Sequence, residues 1–237
     1  MIGTATLVFL GCLGVCKGLG QPGDHMGVVL SFGLAVFIAV QITCNNSGSH
    51  VNPAVTVMSL FFKKLNFPMA AVYILGQLIG AVIGYGLLKA VNPSNLLHAN
   101  GFEEYGVCTT VPHPEISAAR ALLAEFLFTS ILLLVVCSAW DPRNSHFESL
   151  SLKFGFTVFS LAYAGAAYSG CSMNPARSFG PAIWNQTWKD HWVYWVGPIL
   201  AGLVWGFTYT RFFCPKLSPL TEDHKQLKKG EMEMNVS

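Results

Sequence analysis

The chain has 237 residues, of which 52% are hydrophobic and only 11% charged, with a formal net charge of +2; an average soluble domain draws about a quarter of its residues from Asp, Glu, Lys and Arg. Mean hydropathy is +0.48, and no charged side chain occurs from His25 to Phe62. These figures exclude a water-soluble globule, a disordered chain and a nucleic-acid binder, and make lipid the solvent of the fold.

A spanning helix needs about 20 mostly apolar residues. In chain order, six stretches meet or approach this: Met1–Cys16, Gly27–Thr43, Phe67–Ala90, Ser117–Trp140, Phe154–Tyr168 with its flanks, and His191–Phe213. The first lacks a basic n-region and a small-residue cleavage site, so it reads as a retained helix. Two further apolar runs, Pro53–Phe62 and Pro175–Trp184, have the length of half-helices, covering about 15 Å each. Lys63, Lys64, Arg143, Lys153 and the lysines after Cys214 mark one side, while 92–115 holds no Lys or Arg. The positive-inside bias therefore places both termini in the cytoplasm, although Lys17 and Lys189 run against it. Residues 214–237 form a polar tail with the composition of a disordered segment. The seven cysteines are scattered singly, without a C-x-x-C pair, and read as neither a disulfide framework nor a zinc site.

Internal repetition organises these elements. Phe32-Gly-Leu-Ala-Val-Phe37 returns as Phe154-Gly-Phe-Thr-Val-Phe159, and Ser47-Gly-Ser-His-Val-Asn-Pro-Ala54 as Ser169-Gly-Cys-Ser-Met-Asn-Pro-Ala176. Each half, 1–116 and 117–213, then holds three spans and one short run. An odd number of spans forces the second half to enter the membrane from the other side. The expected fold is an all-α membrane protein: six transmembrane helices plus two re-entrant half-helices in an inverted repeat, with its site at the midplane.

Within Asn52-Pro53-Ala54 and Asn174-Pro175-Ala176, Asn is a preferred N-cap and Pro a preferred first helical residue. The repeat brings the two caps tip to tip, with amides that can donate into a shared lumen. The carbonyls of 47–51 and 169–173 supply acceptors beside them. Irregular backbone is tolerated at membrane depth only where it is buried in protein or lines a water-filled cavity, so a pore is expected. Arg177, the one charged residue between Phe154 and Lys189, is a functional candidate by position.

On these signatures, 47–56 and 169–182, the chain resembles the aquaporins, or major intrinsic proteins, from Ile2 to Phe213. The resemblance implies one pore per subunit, a homotetramer in membrane lipid, water and small uncharged solutes as permeants, and no enzyme activity or cofactor. Carried over by position, it implies a constriction of Phe32, Ala162, Cys171 and Arg177, a pore-facing His50, and a Cys171 reachable by thiol reagents from outside. The family's first-helix Glu would fall before Met1, whereas its repeat partner is present as Glu125. The sequence thus reads as lacking its natural start, and the anchoring of the first half-helix's loop is left open.

Strict water channels of the family carry His where this chain has Ala162. Alanine removes about five heavy atoms from one wall and makes it apolar. A polyol needs such a lumen, polar on one side for hydroxyls and greasy on the other for CH groups. The filter therefore resembles the insect entomoglyceroporins, with glycerol and urea as expected permeants, provided that neither Phe159 nor Tyr163 fills the space. Ser178, Ala182, Tyr194 and Trp195 follow the water-channel pattern instead, so a strict water channel is the alternative. An ion-coupled secondary transporter, which inverted repeats also serve, would need a coupling-ion site, and no Asp or Glu lies near either Asn-Pro-Ala. Asn185-Gln-Thr187 is a glycosylation sequon beside the second half-helix. Gly76, Gly80, Gly84, Gly197, Gly202 and Gly206 read as close-packing positions.

Overall fold

The structure, a computed structural model, describes residues 1–16, 24–97, 105–144 and 149–214, apart from the Asn95 side chain. The polar tail beyond 214 and Lys17 lie outside the described residues. Eight α-helices form the described fold: α1 Ile2–Leu13, α2 His25–Ser47, α3 Pro53–Phe61, α4 Phe67–Val91, α5 Ala118–Trp140, α6 Leu150–Ser169, α7 Pro175–Asn185 and α8 Val193–Thr208.

Their ends follow local chemistry. Asp24, Asn66 and Ser117 accept the backbone N–H groups of Gly27, Met69 and Arg120 and so cap α2, α4 and α5. Gly48 and Gly170 stop α2 and α6 in the left-handed region, at φ 64° and 82°. α2 runs one turn past Thr43, because a helix that has left the hydrocarbon tolerates the polar residues Asn45, Asn46 and Ser47. α8 continues into a π-helical turn, Tyr209–Phe213. The combined 21 residues reach about 31 Å, enough to span. α2, α4, α5 and α6 are each long and apolar enough to cross a membrane.

α2 packs chiefly on α6, α5 on α8 and α1 on α4, while the short helices α3 and α7 lean on α8 and α4. Backbone meets backbone at these short-helix contacts. A Cβ on Gly202 would stand 2.7 Å from the Ala54 carbonyl oxygen, and one on Gly180 would stand 2.5 Å from that of Ala81. Outward faces stay apolar: Leu30, Leu34, Ile38 and Ile42 on α2 and Val72, Leu75, Ile79 and Ile83 on α4 are all exposed. Such a surface is stable against lipid and costly in water. At one end of the bundle, Arg143 Nε donates to Asp141 Oδ1 (2.7 Å), Tyr209 Oη donates to Asp141 Oδ2 (3.0 Å), and Arg143 Nη2 donates to the Phe213 carbonyl (3.1 Å). The guanidinium holds the Asp141 carboxyl well below the usual carboxylate range.

One expectation is overturned. Cys12 of α1 and Cys108, in the connection before α5, are joined in a disulfide. Their spacing of 96 residues carries no pattern that could announce the pair, since nothing in the sequence says that 105–113 folds back over α1. Cys16, Cys44, Cys137, Cys171 and Cys214 are free thiols.

Candidate functional site

The site is assembled where the two short helices begin. Asn52 Oδ1 accepts from the Ala54 N–H (2.9 Å), and Asn174 Oδ1 accepts from Ala176 (3.0 Å) and Arg177 (3.4 Å). Pro53 and Pro175 occupy the first helical positions. With Ala54 and Ala176 they are buried beneath the caps. The amides then cross over: Asn52 Nδ2 donates to the Met173 carbonyl (2.8 Å) and Asn174 Nδ2 to the Val51 carbonyl (2.9 Å). One N–H of each amide is used in this exchange, leaving the other for a ligand.

The approach loops adopt an unusual backbone. Ser49 and Val51 have φ values of 47° and 43°, and Cys171 and Met173 of 44° and 53°. Left-handed conformation at non-glycine residues costs about 1–3 kcal/mol each and persists only where the surroundings over-determine it. Here they do. Glu125, fully buried on α5, accepts from the Ser169 hydroxyl (2.7 Å) and from the backbone N–H groups of Ser172 (2.9 Å) and Met173 (2.8 Å). Successive amides converging on one carboxylate form an anion-binding concavity, filled in this case by the protein's own side chain. Not all the predicted carbonyl ladder stays open. Ser47, Val51, Ser169 and Met173 carbonyls are taken by Tyr73, Asn174, Tyr194 and Asn52.

A cavity of about 320 Å³ runs past the crossed amides. His50 and Trp140 line it, as do Phe32, Ala162, Cys171 and Arg177, and Val36, Leu132 and Val158 add apolar wall. Arg177 is buried, its guanidinium carbon 4.6 Å from the Phe32 ring centroid, and Nη1 donates to the Cys108 carbonyl (2.8 Å). Cys171 Sγ lies 3.3 Å from the Leu161 carbonyl oxygen, next to Ala162. The four residues expected at a constriction therefore line one cavity. The Ala162 wall stays unfilled. Tyr163 is exposed and lies against the His25 and Phe159 rings, and Phe159 packs on Gly33 in an outer groove between α2 and α6; neither borders the cavity. His50 Nδ1 lies 3.3 Å from the Thr56 hydroxyl, with its ring between Tyr73 and Trp140.

Several contributors escaped the sequence reading. Cys108 read as one of seven scattered cysteines and Asn185 as a sequon. In the structure Asn185 Nδ2 donates to Tyr85 Oη (2.8 Å) and Thr109 Oγ1 (2.8 Å), and Thr110 donates to Ser178 (2.7 Å). These bonds fasten 107–110 beside Arg177. The segment's polar but unremarkable composition gave no signal of this. Among the described residues, no His, Cys, Asp and Glu cluster could hold a metal ion.

Similarity to known proteins agrees with this geometry. Residues 1–209 match the family described as Major intrinsic protein. Aquaporin-4 of Notomys alexis is 37% identical over 195 residues, covering 82% of this chain and 58% of that protein. The chain thus spans less than two thirds of the length of that relative. The lens fiber major intrinsic protein of Lithobates pipiens is 35% identical over 227 residues, covering 95% of this chain and 84% of its own length. Among solved structures, the aquaglyceroporin from Plasmodium falciparum superposes with a TM-score of 0.77 at 26% identity, covering 90% of this chain and 94% of that one.

Proposed function

This chain belongs to the major intrinsic protein family, a family of channels and not of enzymes, and on that premise we propose that it is a passive channel for water, glycerol and urea that excludes protons and ions. The observation that carries the reading is the cavity lined by Asn52 and Asn174, whose amides cross. A water oxygen there accepts the free N–H of both amides, which interrupts the hydrogen-bonded chain a proton would follow. The two half-helix N-termini present partial positive charge at the same place, and Arg177 adds a full one, so cations meet an electrostatic barrier. Phe32, Ala162, Cys171 and Arg177 form the narrow filter, and His50 lines the far mouth.

Permeation by glycerol and urea rests on Ala162. Arg177 offers hydroxyl-binding donors on one wall, while Phe32 and the alanine leave the facing walls apolar and wide. This is the entomoglyceroporin-like arrangement. A second reading, a strict water channel, is favoured by the relatives named Aquaporin-4 and by the close stacking of Arg177 on Phe32. The chain works in this proposal as a multi-pass homotetramer with both termini in the cytoplasm and one pore per subunit.

Swelling of proteoliposomes in an isosmotic glycerol gradient, beside water flux under hypo-osmotic shock, tests it. Glycerol entry that disappears in Ala162→His with water flux retained is the expected result. Water flux without glycerol entry in the unaltered protein would select the second reading, and no flux of either would remove both.

A further inference from the structure

We propose that the Cys12–Cys108 disulfide is a positioning clamp for the filter, and that Cys108 is a further specificity-determining residue of the pore. Three observations meet at Cys108. Its backbone sits in the left-handed region at φ 66°, a conformation a non-glycine residue keeps only under constraint. Its carbonyl accepts the Arg177 Nη1 bond at 2.8 Å, and its sulfur lies 3.6 Å from Arg177 Nη2. That same sulfur is bonded to Cys12, which is fully buried on α1. Cys108 also borders the cavity, beside Phe32 and Arg177.

The remaining polar ties of this segment run elsewhere. Tyr85 Oη donates to the Val107 carbonyl (2.8 Å), Asn185 reaches Val107 and Thr109, and Thr110 reaches Ser178. They join the segment to α4 and α7, the helices on the arginine's own side. Among the described residues, the disulfide is the covalent tie that joins it to α1, beside the apolar cluster that Val107 shares with Leu7 and Val8. Gly11 of α1 seats the Phe32 ring, and a Cβ there would come within 2.5 Å of the ring edge. The clamp thus sets the Arg177 acceptor against the same helix that sets Phe32, and fixes the gap between the two. Opening it frees the acceptor along that one direction, lets the guanidinium leave the Phe32 face, and widens the lumen for larger solutes.

The inference rests on the channel reading above. The test uses full-length protein in liposomes, comparing wild type, Cys12→Ala and Cys108→Ala for the ratio of glycerol to water permeability. Cys12→Ala removes the clamp but keeps the Cys108 carbonyl and sulfur; Cys108→Ala removes the sulfur as well. Weakening a hydrogen bond to a charged group should raise the ratio about twofold in Cys12→Ala and further in Cys108→Ala. A merely structural role would lower both permeabilities together and leave the ratio unchanged. A second measurement guards against variants that fold poorly: folded wild type is treated with a water-soluble phosphine. The S–S bond breaks as phosphine and water become phosphine oxide and two thiols, and alkylation counts the thiols released. A raised ratio in the reduced sample supports the clamp. An unchanged ratio with both thiols released, or non-reduced peptide maps without a Cys12–Cys108 link, overturns it. Wild type that is oxidised yet passes no water overturns the channel reading, and the clamp with it.

Discussion

The approach to α3 and the approach to α7 share contacts between repeat-related residues and differ in their charged side chains. Tyr73 donates to the Ser47 carbonyl as Tyr194 does to that of Ser169. Ser49 Oγ lies 3.4 Å from the Ala39 carbonyl oxygen, and Cys171 Sγ 3.3 Å from that of Leu161. His50 meets Thr56 as Ser172 meets Ser178. Residues 49 and 51, like 171 and 173, are left-handed. Yet the second loop carries Glu125 beneath it and Arg177 after it, where the first loop has no carboxylate among the described residues and Val55 in place of the arginine. The same backbone course is therefore held in two ways. One loop is locked by a buried carboxyl group, and the other by hydroxyls and an imidazole. The loop locked by the carboxyl group is the one that carries Cys171, placed in the filter under the proposed function, and a filter of that kind needs its walls fixed.

Removing the lock should have the largest effect. Glu125→Ala leaves the Ser172 and Met173 N–H groups and the Ser169 hydroxyl buried without an acceptor. Each such group costs about 1–3 kcal/mol, so destabilisation of about 3 kcal/mol or more is expected. Thermal unfolding in detergent measures it. Wild-type stability in Glu125→Ala would show that the α7 loop holds its shape without the carboxyl group, and the contrast between the loops would collapse.

Much of this was legible in the sequence because the bilayer enforces simple rules. Spans showed as apolar lengths, the half-helices as apolar runs too short to cross, and their starts as Asn-Pro. Arg177 stood out as the one charged residue between Phe154 and Lys189, the two asparagines through the repeated Asn-Pro-Ala, and Glu125 through the family resemblance. What stayed hidden depends on tertiary proximity. The left-handed Val51 is a β-branched residue in a conformation that its type disfavours, and only the surrounding contacts impose it. Cys12 and Cys108 read as two lone thiols because the fold of 105–113 over α1 has no local pattern. Asn185 fitted a surface sequon, while its side chain is spent on Tyr85 and Thr109. Whether Phe159 or Tyr163 would fill the Ala162 space depended on side-chain direction, which alternates around a helix too finely for composition to decide.

The caps offer a finer comparison. Asn52→Ala and Asn174→Ala each lose an N-cap, at about 1 kcal/mol, and each frees a carbonyl of the opposite loop. Asn174 accepts two backbone N–H groups and Asn52 only one, so Asn174→Ala should be the more destabilising by roughly 0.5 kcal/mol. Denaturant unfolding of the two variants in one detergent would show the order. Equal costs would mean that the crossed amide bonds, which are common to both, outweigh the capping difference.

The smallest effect belongs to Ser49, and its sign is informative. Its hydroxyl meets Thr43 Oγ1 at 2.7 Å, but Thr43 also has the Ala39 carbonyl at 2.6 Å, so Thr43 keeps an acceptor when Ser49 is removed. Ser49→Ala should cost below about 1 kcal/mol from the lost bond. Ser49→Gly loses the same bond but relieves the left-handed backbone, against a glycine's greater freedom when unfolded, and should be close to neutral. If Ser49→Gly proves more stable than Ser49→Ala, conformational strain and not the hydroxyl sets the cost at this loop. If both cost as much as Glu125→Ala, the hydroxyl-held loop is as tightly locked as the carboxyl-held one, and the asymmetry between the two approaches is one of chemistry without a difference in rigidity.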